Sequence, residues 1–375
     1  MNESNYLRAI NTFKLLHQHP ELSNHEEWTT NFIKKRLTQA GIKVLDYKLE
    51  TGVVARIDGN NSNGHTIALR ADIDGLPIKE RTGLEYSSLT DGIAHACGHD
   101  FHSAALLEAA EILNKNKENL NGNVILIFEP GEENHSGARM MVDAGVLNGV
   151  SAIFGMHNMP FIPCGTLALK AGPLMASNDN FQVTVKGRSS HAAMPHTGRD
   201  PIVAAANMIT AIQTLVSRFI SPFDTNIVSI GMINGGTANN VIPNNVNFKG
   251  TIRTFSEKTR SEIKRQFEMI IRGIASAYDQ KVDILWDKGP SSVNNNQELT
   301  SMVKEVGKKF MSVVDAVQTC ADDDFATYEE MIPGCYAFIG SKGLSNLHHD
   351  DFAINLDGLR FAIDLHVKVA QKLLM

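Results

Sequence analysis

A chain of 375 residues with 43% hydrophobic and 20% charged side chains has ordinary globular composition, too long for one average domain and comfortable for two. The formal net charge of −6 and a pI near 6.2 leave no reason to expect nucleic acid or an anionic membrane as partner. The N-terminus lacks the basic and apolar blocks of a signal peptide, and no uninterrupted apolar run approaches the roughly 20 residues of a membrane span. The four cysteines lack paired spacing, which suggests reduced thiols in the cytoplasm, with Cys164, Cys320 and Cys335 as small buried hydrophobes.

Helical spacing covers 4–19 (Leu7, Ile10, Phe13, Leu16) and 24–40, where Ser23 is an N-cap with Glu26 three residues on and Gly41 the stop. Strands are expected at 52–57 and 66–70 around the turn 59–64, then helices at 103–114 and 137–144. Near residue 178 the character changes. Phe181–Lys186 alternates as a half-buried antiparallel strand does, followed by a helix at 201–219 and strands at 226–233 and 246–254. A helix at 256–278 and a strand at 281–286 complete an α+β, ferredoxin-like module of two helices on a four-stranded sheet, spanning 178–288. The first domain, 1–177, resumes over 289–375 with a helix at 297–311, a strand near 316–319 and a final helix at 356–374. The expected fold class is therefore α/β, a largely parallel central sheet with flanking helices, carrying an inserted α+β module.

Several apolar runs break off into acids, histidines or a cysteine. Thr66–Arg70 leads to Asp72 and Asp74, Val124–Phe128 to Glu129-Pro-Gly-Glu-Glu133, Ala152–Met156 to His157, and Cys335–Ile339 to His348-His349. Ligands of open α/β sheets bind beyond the carboxyl ends of the strands, so these groups can converge at one sheet edge. With His95-Ala-Cys-Gly-His-Asp-Phe-His102 they make a set rich in metal-ligand types, and a metal-dependent hydrolase is the first reading. Against it, Cys97 beside His99 also fits a buried thiol near a structural histidine. Adjacent carboxylates such as Glu132 and Glu133 are commonly a solvated surface, and His348-His349 reads equally as an exposed polar turn.

The ordered set of His95–His102, Glu129–Glu133, Gly155-Met-His157, His191-Ala-Ala-Met-Pro-His196, Asn240-Val-Ile-Pro243 and His348 resembles one branch of a known superfamily. This is the amidohydrolase branch of the aminoacylase and carboxypeptidase G-type zinc peptidases, which includes hippurate, auxin-conjugate and N-acyl-amino-acid hydrolases. The resemblance implies that Cys97, His99, Glu133, His157 and His348 ligate two divalent ions (manganese, zinc, nickel or cobalt), with Cys97 as bridge. It implies that the inserted module is a lid or dimerisation domain, with Glu132 as general base and His191, acting in cis or across a homodimer, as a group that polarises the scissile carbonyl. Asn240 and Arg253 would meet the substrate's amide or carboxylate. The implied substrate is a small N-acyl, chiefly N-acetyl, amino acid. Asp72 and Asp74 would sit behind the ligands. Two positions depart from the family pattern: Glu129-Pro-Gly131 replaces Gln-Pro-Ala, and Ala321-Asp-Asp-Asp-Phe325 carries a shorter acid at Asp323. Rival readings are an N-acetyl-diaminopimelate deacetylase, a dipeptidase, a thiol hydrolase using Cys97 with His99 or His102, and a non-enzymatic metal-binding protein.

Overall fold

The buried runs rich in Val, Ile and Leu form the centre of one eight-stranded sheet, as expected of strands covered on both faces. In the computed structural model, which describes residues 2–61 and 63–375, its first six strands are β1 (Lys43–Leu45), β2 (Val53–Asp58), β3 (His65–Asp72), β4 (Gly122–Glu129), β5 (Ala152–Met159) and β6 (Thr166–Leu169). The spatial order is β1, β2, β4, β3, β5, then Gly334–Gly340, β6 and Ser312–Asp315. The pairs β4/β3, β3/β5 and β5 with Gly334–Gly340 are parallel. Their carboxyl ends therefore share an edge, where Asp72 stands in register with Glu129. Helices α1 (Glu3–Gln18), α2 (Glu27–Gln39) and α3 (His99–Lys115), with Gly358–Leu373, bury their apolar faces in a core with Leu69, Leu126 and Phe154. The short helix α4 (Gly137–Asp143) follows the end of β4.

The chain divides into two compact units. One comprises Met1–Leu174, Val293–Val317 and Asp323–Met375, and the other Met175–Ser292 with Gln318–Asp322. The second has its own core around Phe181, Phe248 and Phe267. Its strands Ser177–Lys186, Asn226–Gly235, Asn245–Thr254 and Lys281–Lys288 and helices Pro201–Ile212 and Glu257–Ala277 follow βαββαβ order. Numbered along this unit, the antiparallel strands lie in the order 4-1-3-2, the ferredoxin-like arrangement. Ser256 and Asp200 cap its two helices through their side chains.

Some local expectations shift. Ser23 does not cap α2: its hydroxyl donates to Asp74, and the Glu21 carboxylate instead accepts from the Trp28 and Thr29 N–H groups. The helix expected at 103–114 begins at His99, because Gly98 supplies the left-handed entry. The helix expected at 297–311 stops at Gly307, and the following strand is Ser312–Asp315 rather than 316–319, pairing in parallel with β6. Pro201 starts an α-helix that ends at Ile212, with a π turn at Leu215–Phe219. By length and composition Pro201–Phe219 is apolar enough to cross a membrane, although polar residues interrupt it. Its Ala204, Ala205, Met208 and Ile212 stripe packs into the second unit's core. Cys164 and Cys320 are only half-buried, unlike Cys335, since both lie in loops outside the sheet.

Candidate metal centre

The edge of the first unit collects its chemistry from four places. Asp72 ends β3 and Asp74 follows it, and beyond β4 come Glu132 and Glu133. Near the end of β5 is His157, and α3 begins at His99 directly after Cys97 and Gly98. Gly98 has φ +94°, and a Cβ there would overlap the Asn158 side chain, so only glycine lets α3 start this close to β5.

Hydrogen bonds set both inner imidazoles in the same sense. His99 Nδ1 lies 3.0 Å from Asp74 Oδ1, leaving Nε2 buried and without a partner. His157 Nδ1 donates to the Asn158 carbonyl at 2.7 Å, and its Nε2 faces Cys97 Sγ at 3.4 Å. This is the arrangement by which an outer acceptor presents the other nitrogen's lone pair to a cation. Opposite His99 Nε2 stand Glu132 Oε2 at 3.8 Å and Glu133 Oε1 at 3.9 Å. His348 Nε2 is 3.5 Å from Glu133 Oε1. His348 is 53% exposed on its side chain and has φ +63°, and its backbone N–H donates to the Ala96 carbonyl at 2.8 Å, which holds the turn beside Cys97.

The donor atoms fall into overlapping triads, each within 4.8 Å: Cys97, His99 and His157; Cys97, Glu133 and His348; His99, Glu132 and Glu133. Cys97 belongs to two of them. Thiolate, imidazole and carboxylate donors around His99 Nε2 and Glu133 Oε1, both buried and without a hydrogen-bond partner, fit divalent cations of borderline character.

The electrostatics agree with that fit. Burial first, then Glu133 and Glu132, push the Cys97 thiol well above its ordinary range. Burial, then His102, holds His157 well below the usual imidazole value, so it is a neutral donor. Burial opposes a charge on His99, but Asp72 and Asp74 outweigh it and raise the imidazole to about 10. A bound cation displaces such protons on coordination. Glu132 is pushed well above the carboxylate range by burial, then by Asp323 and Glu133. The thiol-hydrolase reading weakens here. A nucleophilic cysteine needs a lowered pKa, and His102, one of its two candidate bases, is engaged with Asp72 at 2.6 Å and with the Asn158 N–H at 2.9 Å.

The family model described as Peptidase family M20/M25/M40 matches residues 68–372. The chain belongs to this family. It is 46% identical over 341 residues to an N-acetyl-L-cysteine deacetylase of Bacillus subtilis, covering 91% of this chain and 82% of that one. It is 36% identical to the IAA-amino acid hydrolase ILR1-like 5 of Arabidopsis thaliana, covering 96% and 85%. A solved Bacillus subtilis structure, described as a dinuclear metal binding peptidase from the M20 family, superposes with a TM-score of 0.91 at 39% identity, covering 100% and 99%.

The remaining candidate residues of this M20-family chain lie in its second unit. His191 and Asn240, 49 positions apart, become neighbours on a two-stranded ribbon. Val241 pairs with His191, and the Ala192 N–H donates to the Asn240 carbonyl at 3.0 Å. Both side chains are exposed. Arg253 is ion-paired with Asp322 of the same unit, so its guanidinium already has a carboxylate. The sequence reading gave no role to Arg70, Tyr328 or Tyr336, which form a buried polar node behind the site. The available signal was an arginine closing an otherwise apolar strand.

Proposed function

We propose that this chain is a two-metal amidohydrolase that cleaves the amide of N-acyl amino acids, N-acetyl ones foremost, to a carboxylic acid and a free amino acid. The observation that carries the reading is the pair of buried orphan atoms, His99 Nε2 and Glu133 Oε1, gathered with Cys97, His157 and His348. These five residues would hold two divalent ions, of manganese, zinc, nickel or cobalt, with Cys97 shared. When bound, such ions polarise an acyl carbonyl and lower the pKa of water. Glu132, whose carboxylate also lies in the triad with His99 and Glu133, is assigned to proton transfer rather than to a metal. It accepts the proton of the attacking water and returns it to the departing amine, work suited to a carboxylate whose proton affinity burial and neighbouring acids have raised. Asp74 and the Asn158 carbonyl keep the two inner imidazoles turned with Nε2 inward. His191 would polarise the carbonyl, with Asn240 and Arg253 on the substrate. For Arg253 this requires exchanging Asp322 for the substrate carboxylate.

The activities for which the relatives are named support an acyl-amino-acid substrate, and the deacetylases among them favour acetyl. A peptidase reading is favoured by one further observation: a thermostable carboxypeptidase 1 of Saccharolobus solfataricus is 36% identical over 95% of this chain. A homodimer belongs to the proposal. The strand Asn226–Gly235 is an edge of its sheet, and Met232 and Ile233 on it are about half exposed, which suits a second copy.

The test is metal content and turnover on one purified sample, using N-acetyl amino acids, hippurate, N-acetyl-diaminopimelate and dipeptides. Activity lost to a chelator and restored by one ion supports the reading and names the ion. Chelator-proof turnover overturns it, and preference for dipeptides moves the assignment to the peptidase. Size-exclusion chromatography with light scattering tests the dimer.

A further inference from the structure

Arg70 lies near the end of β3 with its side chain 1% exposed. Its Nε and Nη2 grip both oxygens of Glu129 at 2.9 and 3.1 Å, Nη1 donates to Asp72 Oδ2 at 2.6 Å, and Nη2 donates to Asp324 Oδ1 at 3.1 Å. Asp323 Oδ1 is 3.5 Å away. Two tyrosines close the node: Tyr328 donates to Glu129 at 2.6 Å, and Tyr336 donates to Asp323 at 2.5 Å. Glu129, the acid that departs from the family motif, is thus the forked partner of this guanidinium. All four carboxylates are buried.

Stability is a poor reason for such a node, because well-packed apolar side chains hold strand ends at least as well as a desolvated ion cluster. Its two outlets point to another. On one side, Asp72 Oδ1 accepts from His102 Nδ1 at 2.6 Å, and His102 Nε2 accepts the Asn158 N–H at 2.9 Å, which pins the residue after His157. On the other, Asp323 and Asp324 have carboxylate oxygens within 4.8 Å of one on Glu132, and Asp324 also accepts the Ala138 N–H at 2.9 Å.

We propose that Arg70 is a positioning residue, a buried cation that holds the His102 relay behind His157 and the Asp323–Asp324 pair behind Glu132 in one geometry. The inference rests on the two-metal amidohydrolase reading. A guanidinium is required because one planar group makes four hydrogen bonds to three carboxylates, two of them a fork on Glu129, and an ammonium has only three donors on a single nitrogen.

The experiment compares metal-loaded full-length Arg70→Lys and Tyr336→Phe with wild type. It measures kcat and KM on an N-acetyl amino acid, metal affinity by competition with a chromophoric chelator, and thermal midpoint. Arg70→Lys is expected to lower kcat and metal affinity by roughly 10–100-fold while KM stays within about threefold, the range seen when groups that orient ligands are removed. Tyr336→Phe loses only one hydroxyl and is expected to lower kcat measurably, but by less than Arg70→Lys does, with metal affinity intact. A folded Arg70→Lys with wild-type kcat and metal affinity overturns the proposal. If Arg70→Lys does not fold, a wild-type kcat for Tyr336→Phe overturns it. A wild-type enzyme without turnover would sink the amidohydrolase reading instead, and the metal-affinity arm would still decide the role of Arg70.

Discussion

Glu132 and Glu133 are adjacent, yet their surroundings divide the labour between them. Both reach toward His99 Nε2, but Glu133 Oε1 also meets His348, whereas Glu132 is backed by Asp323 and Asp324. Glu132→Gln is therefore expected to cut kcat by roughly 10²–10⁴-fold with bound metal unchanged, read from steady-state kinetics beside elemental analysis. His157→Ala is expected to lower metal stoichiometry before anything else, and full metal occupancy in that variant would remove His157 from the ligand set. These residue types were legible in the sequence because each interrupts an apolar run where a core residue would be apolar. Which nitrogen of His99 or His157 faces inward was not. That depends on Asp74 and on the Asn158 carbonyl, acceptors placed by other segments of chain.

At the scale of elements, α3 does most to form the site, and its entry is its weak point. Gly98→Ala must force a side chain into Asn158 at φ +94°. A loss of about 1–3 kcal/mol is expected from the backbone strain alone, measured by urea unfolding of the metal-free protein, and an unchanged midpoint would contradict the packing described. Helix α1 approaches α3 through His17, whose Nδ1 lies 2.6 Å from Asp100 Oδ2 and whose Nε2 lies 3.4 Å from Glu80 Oε1. Burial opposes the charge on His17, but Asp100 and Glu80 prevail and raise it to about 9 from 6.5. A histidine raised on folding contributes stability that is whole below about pH 6.5 and is lost as pH rises through about 9. The thermal midpoint is therefore expected to fall across this window in wild type and to change less in His17→Gln. Helix positions were readable from apolar spacing, but the cap of α2 was not. Glu21 lies outside the local pattern that made Ser23 attractive, while Asp74, 51 residues away, draws the serine off.

At the scale of the molecule, two units with separate cores share one chain, and among the described residues only the first holds a cluster of metal-type donors. Metal stabilises whatever it binds in the folded state. In calorimetry, chelation is expected to lower the transition of the first unit and to leave that of the second. The second transition is identified by Arg260→Ala, which breaks the buried Arg260–Asp179 pair. A chelator that shifts both transitions equally would mean that the units unfold together. The three consecutive aspartates show how far composition misleads at this scale. Asp322 pairs with Arg253 in the second unit, while Asp323 and Asp324 belong to the first, around Arg70.

The sequence by itself determined the classes of structure and chemistry: buried parallel strands, an inserted antiparallel module, and metal-type donors at strand ends. Periodicity and residue type are local properties, and these features depend on nothing else. Only the tertiary structure decided that Arg70 gathers four acids, that Arg253 is already paired, that His191 and Asn240 stand side by side, and that α3 starts at His99. Each of these depends on groups distant in sequence meeting in a dry interior, where a buried charge or donor must find its partner and local pattern carries no record of which partner that is.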